Sequence, residues 1–207
     1  WMFDPATQQW QCQVGEPPFP KGVCQGAMLE YDPKTKQTVW YANQWNESGC
    51  WTYDAAANTW TQRSLNGIKF FYARKPKAWP GAEVVSAYDS KRHRILIAWK
   101  NLIYALDLDK WTMTLLKEQD GIHAWDSSSV FAYDSANDVC LLLSRGKGGF
   151  TLHAFDCEAN TWTDLTPQGE AYSGRRLAGY YDPARNAFVV YNSARVWVYR
   201  YKTAKEE

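Results

Sequence analysis

A chain of 207 residues can bury one good-sized core or build one repeat array, and its length alone does not require a second domain. With 23 Lys and Arg against 22 Asp and Glu the formal net charge is +1, so no whole-chain field attracts a phosphate backbone or an anionic lipid surface, and nucleic acid is excluded as an expected partner. Aromatic residues make up 16% of the chain, with 12 Trp and 13 Tyr, a composition that favours strands over helices and predicts an all-β fold.

The chain opens on "WMFDPATQQWQC", with neither an initiator methionine nor a charged-then-apolar signal segment, so its native start is expected to have been processed or to lie upstream. Residues 1–13 read as two strands joined by a turn at Asp4-Pro5. A proline-rich loop follows, flanked by Cys12 and Cys24. A disulfide between them would close it in an oxidising compartment, and two buried free thiols fit equally well. From residue 27, "AMLEYDPKTKQTVWYAN" is a short apolar strand ending in Tyr-Asp, a polar turn, and a second apolar strand; "WTYDAAANTWTQ" from 51 then adds another hairpin.

Both units return. The first recurs as "VVSAYDSKRHRILIAWK" from 84, "SVFAYDSANDVCLLLSR" from 129 and "LAGYYDPARNAFVVYNS" from 177. The second is seen at the chain start and again as "YALDLDKWTM" from 104 and "HAFDCEANTWTD" from 153. Its aspartates, Asp4, Asp54, Asp107 and Asp156, recur at intervals of 50, 53 and 49 residues. In three copies a Trp follows the Asp by six residues, and in the copy at Asp107 the turn reads two residues shorter. Each period thus holds four strands, a to d, in two hairpins. Complete units are predicted at 27–65, 84–116 and 129–165, with strands c and d at 1–13 and strands a to c at 177–201. An aspartate opening a turn accepts hydrogen bonds from backbone N–H groups two or three residues on, which pins one end of every hairpin.

A four-stranded sheet with apolar side chains on both faces must be covered on both. Stacked blades of a β-propeller do this. The repeated strand Tyr and the Trp about six residues after the turn Asp resemble the kelch and galactose-oxidase-like propeller superfamily over essentially the whole chain. The family's glycine doublet after strand b is matched at Gly148-Gly149, while Ala42-Asn43, Trp99-Lys100 and Asn192-Ser193 stand in its place elsewhere. The resemblance implies about four blades in one domain spanning 1–207. Trp1–Phe3 and Val196–Tyr199 compete for one c position, so a piece of a larger ring is favoured over a four-bladed ring with a surplus strand, which would leave an edge exposed.

The galactose-oxidase branch would imply copper held by histidines and tyrosines. Of His93, His123 and His153, the first sits in an a–b turn and the last leads into a c strand, so the copper motif is not carried over. The cysteines Cys12, Cys24, Cys50, Cys140 and Cys157 have no zinc or haem spacing, and no nucleophile elbow, phosphate-cradling loop or HExxH is present. No metal or cofactor is expected. No apolar run approaches the roughly 20 residues that span a bilayer, so membrane insertion is not expected.

Antiparallel order a-b-c-d puts the a–b and c–d turns on one rim and the irregular b–c and d–a connections on the other. Variable loops on a repeated scaffold are where binding usually resides. The candidate binding residues on that rim are Trp45; Phe70, Phe71, Tyr72, Arg74, Lys75 and Trp79 in "NGIKFFYARKPKAWPGAE"; His123 and Trp125; Arg145 and Lys147; and Tyr172 and Arg175. Aromatic and basic side chains suit a protein hot spot or stacking on a sugar ring. The plainer reading of the same residues has the aromatics capping blade edges and the charges solvated. The functional expectation is a non-catalytic interaction module or scaffold subunit that binds another protein. The alternative is a glycan-binding module, or the propeller domain of an exported carbohydrate-active or galactose-oxidase-like enzyme. Trp-rich propellers of this kind and the Asn46-Glu47-Ser48 acceptor pattern favour a periplasmic or extracellular location.

Overall fold

The computed structural model describes residues 2–11, 28–44, 47–67, 84–124, 129–146, 149–167, 172 and 177–202. Every regular element among them is a strand. A short hairpin comes first, β1 (Met2–Asp4) with β2 (Gln9–Gln11). The first blade is β3 (Met28–Asp32), β4 (Gln37–Gln44), β5 (Glu47–Asp54) and β6 (Thr59–Arg63), paired in sequence order. After β6 the chain adds the two-residue β7 (Asn66–Gly67) to the outside of the next sheet. That second blade consists of β8 (Val85–Asp89), β9 (Arg94–Trp99), β10 (Leu102–Asp107) and β11 (Thr112–Glu118). The third is β12 (Val130–Asp134), β13 (Val139–Gly146), β14 (Gly149–Asp156) and β15 (Thr161–Leu165), and the last has three strands, β16 (Ala178–Asp182), β17 (Ala187–Tyr191) and β18 (Val196–Tyr199). The first strands stand side by side in the order β3, β8, β12, β16, which makes the architecture an all-β, four-bladed propeller arrangement. Among the described residues, β1 and β2 form a sheet of their own, and no helix is long and apolar enough to cross a membrane.

The hairpin turns repeat in atomic detail. Asp4, Asp32, Asp54, Asp89, Asp107, Asp134, Asp156 and Asp182 each accept a backbone N–H from two or three residues on, with Asp54 Oδ1 bonding Ala56 N at 2.9 Å and Ala57 N at 3.0 Å. Four residues after each aspartate the chain turns left-handed, at Gln8, Lys36, Asn58, His93, Trp111, Asp138, Asn160 and Asn186. The hairpin at Asp107 therefore has the same length as the others, because Asp107 pairs with Thr112 as Asp54 pairs with Thr59. This corrects the shorter turn expected there: the tryptophan has moved two places, onto the left-handed position itself, and Trp111 lies under the Arg63 guanidinium at 5.1 Å.

Between blades the alternation of each strand supplies two apolar faces. Met28, Val39, Tyr41 and Cys50 of the first blade interlock with Ile95, Ile97, Tyr104 and Leu106 of the second. Leu96, Ala98, Ile103 and Ala105 meet Phe131, Leu142 and Phe155 of the third, and Leu141, Leu143 and Leu152 meet Phe188 and Val190 of the last. Gly179 lets β16 approach β12: an added Cβ would come within 2.5 Å of Val189 O and 2.7 Å of Val130 Cγ1.

Candidate functional site

On the rim where β13 meets β14 and the d–a connection begins, blades three and four part to form an apolar cleft of about 330 Å³. Its wall is aromatic. The Tyr172 ring stands edge-on to Phe150 with centroids 4.4 Å apart and lies 4.3 Å from Trp197, tilted by 58°. Phe150 is positioned by its pairing with Arg145 across the β13–β14 hairpin, and Trp197 by its pairing with Val190. Leu143, Leu165 and Pro167 close the sides. The polar groups here are neutral among the described residues: Thr151 and Thr166 line the cleft, and Asn192 Nδ2 donates to the Tyr172 hydroxyl at 3.4 Å. Such a pocket accepts a flat or branched apolar group and orients it with one or two hydrogen bonds.

Sequence-predicted residues fall into two sets. Tyr172 is half-buried in the cleft wall; Arg145 is exposed at the end of β13; His123 is exposed beside Ala124, whose backbone exchanges hydrogen bonds with Lys100 at 2.6 and 2.8 Å. Arg145 and Tyr172 thus flank Phe150, while His123 belongs to the second blade. Trp45, Phe70, Phe71, Tyr72, Arg74, Lys75, Trp79, Trp125, Lys147 and Arg175 lie outside the described residues, as do Cys12 and Cys24. Sequence reasoning missed Phe150, Trp197 and Asn192. Phe150 and Trp197 read as ordinary strand residues, and only their position at the loop end of adjoining strands would have marked them.

A second cavity, of about 260 Å³, lies among the first strands of the blades. Among the described residues, Glu30 is the one carboxylate in its lining. Burial pushes that carboxyl above its ordinary range, partly offset by the Ser86 hydroxyl donating to it at 2.6 Å.

The concentrated charge is on the opposite rim. Arg92 reaches from the second blade to the third, 2.7 Å from Asp138 and 2.6 Å from Glu158, and it also pairs with the fully buried Asp89 at 3.2 Å. Arg92 beside it holds Asp138 well below the usual carboxylate range. His93 spans the first junction, with Nε2 3.0 Å from Asp32 and Nδ1 2.8 Å from Asp109, and Lys34 pairs with Asp109 at 2.9 Å. These side chains are consumed by one another and bind blade to blade. Within β14, His153 is buried with Nδ1 2.7 Å from Asp164 and Nε2 2.9 Å from Thr151. Among the described residues no group of three His, Cys, Asp or Glu side chains is placed to hold a metal ion.

No protein-family model matches the sequence, and no curated protein matches it. Solved structures match by shape. TolB from Acinetobacter baumannii superposes with a TM-score of 0.51 at 14% identity, over 84% of this chain and 40% of that one. A chain of the nidogen/laminin complex superposes with a TM-score of 0.53 at 12% identity, over 83% of this chain and 63% of that one. Identities this low show the fold alone, that of a β-propeller. The chain spans less than two thirds of the length of either.

Proposed function

We propose that this chain is a non-catalytic propeller module that binds another protein through the rim carrying the b–c and d–a connections, with the Phe150–Tyr172–Trp197 cleft as its anchor pocket. The observation that carries this is the division of chemistry between the rims: the pocket is apolar, aromatic and open, whereas the clustered charges are already paired on the far side. Aromatic-lined pockets with a polar margin are where interface hot spots insert. The nidogen/laminin neighbour supports a protein partner, since a chain of the same fold comes there from a complex. The repeated Tyr-Asp hairpins support kelch-like descent, and the acceptor pattern at Asn46 supports an exported protein. We place the whole of 1–207 in this one module.

A second reading is favoured by Asn192 beside the Tyr172 hydroxyl: tilted rings next to an amide also form a platform for a sugar. The test compares wild type with Tyr172→Ala in pull-downs from the source extract and on a glycan array. A protein retained by wild type and lost with Tyr172→Ala supports the interface. Glycan signal without a protein partner moves the function to carbohydrate, and identical profiles for both chains would remove the cleft from consideration.

A further inference from the structure

The cavity among the first strands is bordered by consecutive residues of β8, of β12 and of β16. Side chains of a strand alternate between its faces, so a consecutive run means that the strand meets the cavity with its edge. β3, β8, β12 and β16 are each the end strand of their sheet, and that edge carries the carbonyl and N–H groups left over from pairing with β4, β9, β13 and β17. The backbone therefore gives the cavity a polar wall, and the side chains decide what it holds.

Two places before the turn aspartate stand Glu30, Ala87, Ala132 and Tyr180. Blades two and three have a buried methyl group there. The other two depart from the repeat, with a half-buried carboxylate in one and a phenol ring that is 52% exposed in the other, and both residues line the cavity. Neither is required by the hairpin, which turns in the same way in all four blades. Ser86 Oγ donates to Glu30 Oε1 at 2.6 Å, while among the described residues Oε2 has no hydrogen-bond partner and no cationic side chain pairs with this carboxylate. The aspartates drawn into the blade junctions are all matched: Asp32 by His93, Asp89 by Arg92 and Arg94, Asp138 by Arg92 and Lys91, and Asp134 by Asn137 and its own turn. Burial raises the Glu30 carboxyl, as expected of a charge that lacks a counter-ion. The other phenol groups of the lining are engaged, Tyr88 with Asp32, Tyr133 with Asp138 and Tyr181 with Asn186.

We propose that this cavity binds a primary alkylammonium ion, with Glu30 Oε2 as its counter-ion, Ser86 Oγ and a strand-edge carbonyl accepting its other N–H groups, and the Tyr180 ring against its alkyl chain. An ammonium group has three donors and no acceptor, which matches this set. A divalent metal ion would need six or more oxygens, and among the described residues no three metal-ligating side chains come together. One carboxylate beside an aromatic ring suits an organic cation instead. At about 260 Å³ the cavity is slightly smaller than the roughly 300 Å³ at which ligand pockets begin, so the ligand is a short chain. A free small amine and the lysine side chain of a protein both present this chemistry. The site is separate from the aromatic cleft, and Tyr172→Ala is expected to leave it unchanged.

The test titrates the full chain, isotope-labelled for amide NMR, near neutral pH with n-butylamine, with Nα-acetyl-lysine methylamide and with n-butanol as the uncharged match. The amines are expected to shift the Ser86 and Gly179 amide signals saturably, with a Kd on the order of 1 mM or tighter, and n-butanol to bind at least tenfold more weakly. Glu30→Gln keeps an acceptor for the Ser86 hydroxyl and is expected to weaken n-butylamine at least tenfold. Tyr180→Leu, at an exposed position, should weaken it by roughly two- to fivefold. Acetyl-lysine methylamide binding as well as n-butylamine would support the site with a protein lysine as its occupant, and n-butylamine binding alone would support it with a free amine. The proposal is overturned by n-butanol binding as tightly as the amine, by unchanged affinity in Glu30→Gln, or by the absence of saturable shifts up to about 20 mM amine. The comparison of amine with alcohol is made on wild type, so it holds even where a variant fails to fold.

Discussion

The two rims of this propeller are built from the same strands and have opposite chemistry. On the rim of the a–b and c–d turns every connection has one length, an aspartate at its start and a left-handed residue four places later. On that rim Arg92, His93, Lys34 and their aspartates tie neighbouring blades together. The other rim has connections of unequal length and an aromatic cleft whose described polar groups are neutral. One rim is committed to holding the blades in register, which frees the other to vary. Stability should therefore be lost mainly by substitution on the first rim and binding mainly on the second.

The largest effect is expected from Arg92→Ala. It leaves Asp89, whose side chain is fully buried, with Arg94 alone, and it unties blade two from blade three. Urea titration should show a loss of about 3 kcal/mol, the scale for breaking a buried pair from one side. A change below about 1 kcal/mol would mean that the charged rim is ornamental. Gly179→Ala is expected to cost roughly 2 kcal/mol, since the added methyl meets a backbone carbonyl as well as Val130; thermal unfolding checks it.

The same rim sets the response to pH. Asp138 titrates below its ordinary 3.8 in the folded chain, so the stability it contributes is complete above that value and drains away as pH falls below it. Burial and Asp134 push Tyr181 from 10.0 up to about 12, so its contribution is complete below 10 and is lost as pH rises from 10 toward 12. Urea midpoints measured across pH should accordingly fall at both extremes, and Arg92→Ala should flatten the acid limb while leaving the alkaline limb in place.

Tyr172→Ala tests the other side of the comparison. It is expected to cost about 1 kcal/mol of stability, because the ring is only half-buried, yet to abolish binding through the cleft. If its stability loss matched that of Arg92→Ala, the cleft would be part of the core. The smallest effect is expected from Lys36→Gly, which relieves a side chain at φ 58° and should stabilise by a few tenths of a kcal/mol after the flexibility gained by the unfolded chain is counted.

The repeat of Tyr-Asp and Trp was legible because strand alternation and turn chemistry are local: Asp54 reaches only as far as Ala57, and its effect is the same wherever the pattern recurs. The turn at Asp107 was misread for an instructive reason. Trp111 was aligned by its identity, while the chain aligns by backbone conformation, and the aspartate with the left-handed fourth residue is the invariant. The cleft was legible only through Tyr172. Phe150 and Trp197 are separated by 47 residues and belong to different blades, and a strand aromatic in this chain is ordinarily core.

The sequence by itself determined the all-β class, the four-stranded period and the rim on which regular turns lie, since each depends on interactions spanning a few residues. The tertiary structure decided which charges meet across blades and where a cleft opens between the third and fourth. Those depend on the angle and distance between sheets, which emerge from packing of side chains far apart in the chain and are written in no single repeat.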